Sequence, residues 1–188
     1  MAQLGEPRAA RECGTCTLCC KLMAIVELAK PPNLWCPHCA PGRGCKIYPD
    51  RPAECRSFAC LWLQSDSLPE EAKPERSKIV VTVEGERNQL VAHVDPAYPD
   101  AWKSEPWSSW LRQMAIAGAP HSRTVLVRVK NQLTALLPDR DVPLGQLEED
   151  DRILLTEVAG PYGSRLEVTV VKASTLPVGF PSARHRYK

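Results

Sequence analysis

All nine cysteines of this chain fall between residues 13 and 60, written as C-G-T-C-T-L-C-C, W-C-P-H-C, G-C-K-I-Y and A-E-C-R-S-F-A-C. Clustered thiols are soft ligands, suited to zinc, to iron–sulfur clusters and to redox chemistry. Cys13 and Cys16 make one C-x-x-C pair and Cys36 and Cys39 a second, with 19 residues between them. A two-residue turn lets both sulfurs of a pair face one ion, and two such pairs supply the four ligands of a tetrahedral zinc site. Cys19, Cys20, Cys45, Cys55 and Cys60 remain. Neighbouring side chains diverge, so Cys19 and Cys20 are expected to serve different purposes, one of them joining Cys45, Cys55 and Cys60 in a second site.

A competing assignment groups Cys13, Cys16 and Cys19. C-x-x-C-x-x-C is the spacing with which ferredoxin-type loops wrap a [4Fe–4S] cluster, and a distant cysteine, Cys45 or Cys55, would be its fourth ligand. Spacing leaves the choice between zinc and iron open. Either centre carries negative charge, which Arg43, Lys46, Arg51 and Arg56 stand close enough in sequence to offset. His38, between two cysteines, suits an outer-sphere or exposed role better than ligation.

Compartment bears on how such thiols are read. No stretch approaches the roughly 20 apolar residues of a membrane span, and the opening M-A-Q-L-G-E-P-R-A-A-R lacks a secretory apolar segment. A cytosolic chain with no membrane partner is expected. Cytosolic thiols stay reduced, which favours metal binding over a disulfide framework, and an odd number of cysteines pairs poorly. Net charge is +2, split as +3 over residues 1–60 (eight basic less five acidic) and −1 over the rest (sixteen less seventeen). So even a balance argues against nucleic acid as a partner. The metal ion is the expected partner, and no protein partner is indicated.

The ordered run Cys13-x-x-Cys16-x-x-Cys19-Cys20, Cys36, Gly44-Cys45-Lys46-Ile47-Tyr48 and Arg51-Pro52-x-x-Cys55-Arg56-x-Phe58 resembles the YkgJ-like CxxCxxCC cysteine-cluster family. Cys39 and Cys60 make this chain richer in thiols than that pattern. The resemblance covers roughly the first third of the chain and implies a bound zinc or iron centre, the iron as a cluster in some members. It implies no particular reaction. A related cluster occurs in flagellin lysine methylase-like proteins, but no matching methyltransferase body follows here.

The elements that must position these thiols read as α+β: a small cysteine-rich metal-binding module, then an antiparallel β-hairpin body with one packed helix. The expected divisions are a module over residues 1–64, a linker or surface loop over 65–77, a body over 78–172 and a tail over 173–188. K-L-M-A-I-V-E-L-A-K-P-P, between the two pairs, is apolar enough to be buried as a short strand or a turn and a half of helix. In the body, residues 78–84 and 89–95 predict a hairpin turning at G-E-R-N, 124–130 and 132–137 a second, and 152–158 and 165–172 a third around A-G-P-Y-G-S. From Pro106, the residues Trp107, Trp110, Leu111 and Met114 recur at helical spacing, a stripe suited to packing on a sheet.

Catalytic signatures are missing from this sequence. It contains no nucleophile elbow, phosphate-cradling glycine loop or H-E-x-x-H. His93, His121 and His185 are far apart, Glu148 to Asp151 reads as a solvated turn, and A-R-H-R-Y-K as a frayed tail. The expected function is therefore metal binding in a structural, storage or transfer role. An iron–sulfur redox protein and a zinc-ribbon-like interaction module are the alternatives.

Overall fold

The computed structural model describes residues 11–85, 89–160, 163–177 and 183–184. The cysteine segment contains α1 (Leu18–Leu22), a 3-10 turn at Val26–Leu28, the short strands β1 (Cys39–Ala40) and β2 (Gly44–Cys45), α2 (Ala53–Ser57) and α3 (Leu61–Gln64). After it come a 3-10 turn at Glu70–Ala72, α4 (Pro74–Ser77), the hairpin β3 (Ile79–Glu84) and β4 (Gln89–Val94), and α5 (Trp107–Gly118). The chain continues through β5 (Val125–Val129), β6 (Gln132–Leu136), β7 (Asp141–Gly145), β8 (Asp151–Gly160), β9 (Gly163–Lys172) and β10 (Ala183–Arg184). The fold is α+β, with one main helix and several antiparallel sheets. Residues 86–88 and 161–162, where two of the expected hairpin turns fall, lie outside the described residues, as does His185.

The central sheet has the order β3-β4-β5-β6-β7. Its pairings are antiparallel except one: β4 and β5 run parallel, Leu90 opposite Val125 and Val94 opposite Val129. A hairpin cannot join parallel strands, so the chain crosses over through α5. On β4 both faces are covered and five of six positions are buried, which explains its nearly unbroken apolar run. The edge strand β7 carries Pro143, whose missing N–H is tolerated only at such a place. The register against β6 shifts between Leu133 and Thr134.

On one face, α5 lays Trp107, Leu111 and Ala115 into the core, with Trp110 meeting Trp107 edge-on at 5.4 Å and 88°. The helix stripe is core packing. On the other face, β8 and β9 form a long hairpin whose root residues Ile153 and Val168 cover Val91, Leu126 and Leu133. The acidic run organises that root: Asp151 accepts from the Glu148 N–H at 2.8 Å, and Lys172 pairs with Glu148 and Asp151 at 2.6 and 2.9 Å.

The main core does not stop at the end of the cysteine segment. Leu18, Leu22, Cys60 and Trp62 share one apolar cluster with Val81, Ala92 and Trp107. Residues 65–77, expected to be a linker or surface loop, supply Leu68 and Ala72 to the same cluster, exposed by only 1% and 0%. A Lys21–Asp95 ion pair at 2.6 Å fastens α1 to the end of β4.

A polar group interrupts the covered side of β3 and β4. His93 Nε2 donates to Glu84 at 2.8 Å and lies 3.0 Å from Thr82 Oγ1, whose hydroxyl donates to the same carboxylate oxygen at 2.7 Å. Burial alone would raise the Glu84 pKa. The hydrogen bond and charge of His93, the Thr82 hydroxyl and the nearby Arg128 outweigh it and hold the carboxyl at about 2, below its ordinary 4.5. A depressed carboxylate contributes stability that is complete above its unfolded pKa and is lost as pH falls through the folded one. Glu84→Gln is therefore expected to lower the urea midpoint at neutral pH, with the difference from the unaltered chain closing between pH 4.5 and about 2. An equal loss at pH 7 and pH 2.5 would contradict this account.

Candidate metal centre

The first cysteine pair sits in a turn closed by the Cys16 N–H on the Cys13 carbonyl, and the second in one closed by the Cys39 N–H on the Cys36 carbonyl, both at 3.0 Å. The Cys36 N–H also donates to the Cys20 carbonyl at 3.0 Å, tying the second pair to α1. Beyond it the chain turns back through P-G-R-G, so that Cys39 and Cys45 face each other across β1 and β2. Gly44 holds a φ of +119°, which a side chain would strain. The Gly42 N–H donates to buried Thr17 Oγ1 at 3.0 Å, anchoring the turn on the residue before α1.

Two reciprocal bonds set the place of Cys55. Glu27 accepts from the Ala53 N–H at 2.8 Å and Glu54 from the Val26 N–H at 3.0 Å, locking α2 to the Val26–Leu28 turn. Cys60 is the residue before α3, its carbonyl accepting from the Leu63 N–H at 3.0 Å; burial raises its thiol pKa, and the backbone N–H groups of Leu63 and Trp62 oppose that rise.

All nine cysteines are free thiols, and all nine line a single cavity of about 470 Å³. His38, Arg43 and Arg51 also line it; Lys46 and Arg56 do not. Arg51 stacks on Tyr48 at 3.8 Å, holding one cation at the rim. The thiols raise one another's pKa. Burial first, then Cys60, Cys16 and Cys20, pushes the Cys13 thiol up, and Lys73 opposes it. Cys20 is driven well above its ordinary value, first by its hydrogen bond with Cys19 and then by burial. Burial, followed by Cys20, raises Cys39 to about 11. For Cys55 the causes are burial, then Cys20, Cys36 and Cys45. Burial and neighbouring thiols thus push Cys13, Cys20, Cys39 and Cys55 up together, with Cys20 hydrogen-bonded to both Cys19 and Cys39.

Packing separates these sulfurs by side of α1. Cys16, Cys19 and Cys60 pack with the main core, whereas Cys20, Cys36, Cys39 and Cys55 gather around Ile25 and Leu28. Cys16 and the pair Cys36 and Cys39, expected from their spacing to face one ion together, lie in different groups, and exposed Cys13 packs in neither. Successive residues of a helix point about 100° apart, and Cys19 packs with the main core while Cys20 packs near Ile25, yet the two thiols stay in hydrogen-bond contact.

The donor chemistry fits a thiophilic metal, but the arrangement is not that of a closed site. Among the described residues, no three His, Cys, Asp or Glu side chains are already grouped as ligands of one ion. Loading would have to deprotonate the thiols and draw them together, releasing protons.

Lysine 30 is the feature that spacing does not reveal. It is 5% exposed, donates to the Lys21 carbonyl at 2.8 Å and to the Met23 carbonyl, and stands near Cys36, Cys20, Cys19 and Cys55. Burial lowers its pKa and the surrounding thiols oppose that shift. A buried ammonium is expensive unless an anion accompanies it, and thiolates are the anions within reach. Its signal in the sequence is faint: a lysine ending an apolar run before two prolines.

Among the described residues no helix is long and apolar enough to cross a membrane. In comparisons with known proteins, the chain matches no family model, no curated protein and no solved structure.

Proposed function

We propose that residues 13–60 form a metal-binding unit whose clustered thiolates hold zinc or iron in a structural, storage or transfer role. The observation that carries this reading is the convergence of nine free thiols on one cavity, with a buried lysine beside four of them. Thiolate sets bind zinc or iron–sulfur clusters far more readily than hard oxygen-seeking ions. The YkgJ-like motif agrees with it.

A second reading, an iron–sulfur redox protein, is favoured by one contact. Cys60 is the first thiol neighbour of Cys13 and packs in the cluster of Cys16 and Cys19. It is a better-placed fourth partner for the C-x-x-C-x-x-C triplet than Cys45 or Cys55. Elemental analysis with a sulfide assay on anaerobically purified protein separates the readings. Iron with matching sulfide and absorption near ~400 nm supports the cluster, and colourless zinc protein supports a tetrathiolate. Protein that takes up neither, even after reduction and reconstitution, refutes metal binding.

A further inference from the structure

We propose that the thiols make two separate metal centres rather than one. The first comprises Cys13, Cys16, Cys19 and Cys60 and lies against the central sheet. The second comprises Cys20, Cys36, Cys39 and Cys55 and lies within the N-terminal module. This deepens the metal-binding reading and rests on it.

Three independent observations point to the division. The first is packing: the main core takes Cys16, Cys19 and Cys60, while Cys20, Cys36, Cys39 and Cys55 belong to the cluster around Ile25. The second is connectivity. Each group contains one C-x-x-C turn closed by its own 3.0 Å hydrogen bond, and each adds one cysteine of α1 and one distant cysteine. That is the ligand count of a closed thiolate site, reached twice. The third is charge. Lys73 stands beside Cys13, bound to Glu75 at 3.1 Å, and Lys30 stands near Cys36, Cys20, Cys19 and Cys55, three of them in the second group. A cation thus stands on each side, the buried one chiefly against the second group. Cys45 is left as the ninth thiol, opposite Cys39 and near Cys55, a spare donor on the second group.

The division has a further consequence for the second centre. Its cation is buried and fixed by two carbonyls, whereas Lys73 is an ion-paired lysine at the edge of the first. The inner site is accordingly the one built to neutralise a permanently bound anionic complex, and the outer one, which includes exposed Cys13, is the more open to exchange.

Counting metal tests the proposal. Reduced full-length chain is saturated anaerobically with zinc, desalted and analysed, and a cobalt(II) titration follows thiolate-to-metal absorption. Two equivalents are expected. Cys60→Ser and Cys36→Ser are each expected to lose one equivalent and keep the other. One equivalent in the unaltered chain, or loss of both ions from each single variant while far-UV circular dichroism is retained, overturns the division. If a variant does not fold, alkylation mapping of the unaltered chain at half saturation decides. Protection confined to one group supports two centres, and equal partial protection of all eight thiols opposes them. Failure to bind any metal would instead remove the metal-binding reading itself. The same count applies with iron and sulfide as the probe.

Discussion

If the thiols hold metal as proposed, a strong chelator under reducing conditions is expected to erase amide-exchange protection between Ile25 and Cys55 while leaving β3 to β6 protected. In that stretch the described apolar cluster is small, built from Ile25, Cys36 and Cys39 with Leu28, Cys20 and Cys55 packed on it. Without metal so little burial is not expected to offset the ordering entropy of these 31 residues, at about 1–2 kcal/mol each. The sheet also buries Val91, Leu126, Leu133 and Ala135 away from the cysteine segment and is expected to stay ordered without an ion. What makes the experiment discriminating is α1, whose Leu18 and Leu22 belong to the main core. They should stay partly protected after chelation, so the loss should have a sharp inner boundary near Met23. Unchanged protection from Ile25 to Cys55 would show that the segment holds itself together without metal.

Trp107→Ala should be the most damaging single change outside the thiols. The side chain is 2% exposed, packs in the cluster that joins helix, sheet and cysteine segment, and supports Trp110 edge-on. Removing a buried tryptophan typically costs about 3–5 kcal/mol, from lost transfer energy and the cavity left behind. Chemical denaturation followed by circular dichroism would measure it. The same variant should raise alkylation rates at Cys16 and Cys60, which share that cluster, more than at Cys36 and Cys39, which do not. Uniform acceleration would mean that the two thiol groups are not mechanically distinct. A loss below ~1 kcal/mol would mean that α5 relaxes to fill the space.

The strands and α5 are legible in the sequence because alternation and helical spacing report burial directly. Residues 79–84 and 89–94 form the expected hairpin, as do 125–129 and 132–136. The parallel pairing of β4 and β5 is not legible. It depends on where α5 returns the chain, and local periodicity carries no record of that. β7 escapes because D-V-P-L-G has the composition of a loop and becomes a strand only through its neighbour β6. Residues 65–77 look polar because Glu70, Glu71 and Glu75 are solvated, while the two residues that matter, Leu68 and Ala72, are too sparse to form a pattern.

The candidate site shows the same division. Which residues carry the chemistry is plain from composition. Which thiols are neighbours is not, because C-x-x-C spacing specifies contacts within a pair and says nothing of contacts between pairs. That information comes from the direction in which α1 presents Cys19 and Cys20, and from the docking of Cys60 on the sheet. Lys30 was hidden for a different reason: a lysine is ordinarily a surface residue, and only three-dimensional crowding by sulfur gives it meaning.

The shared core also imposes an order in time. Leu18 and Leu22 share their apolar cluster with strands and a helix that lie roughly sixty to one hundred and twenty positions further along the chain. At a synthesis rate of about 5–20 residues per second, the cysteine segment leaves the ribosome several seconds before the surface it rests on exists. Throughout that interval its thiols are open to oxidation and to unintended ions. A segment made before the sheet it rests on is therefore completed after it, and its thiols stay reactive for longer in the newborn chain than in the finished one.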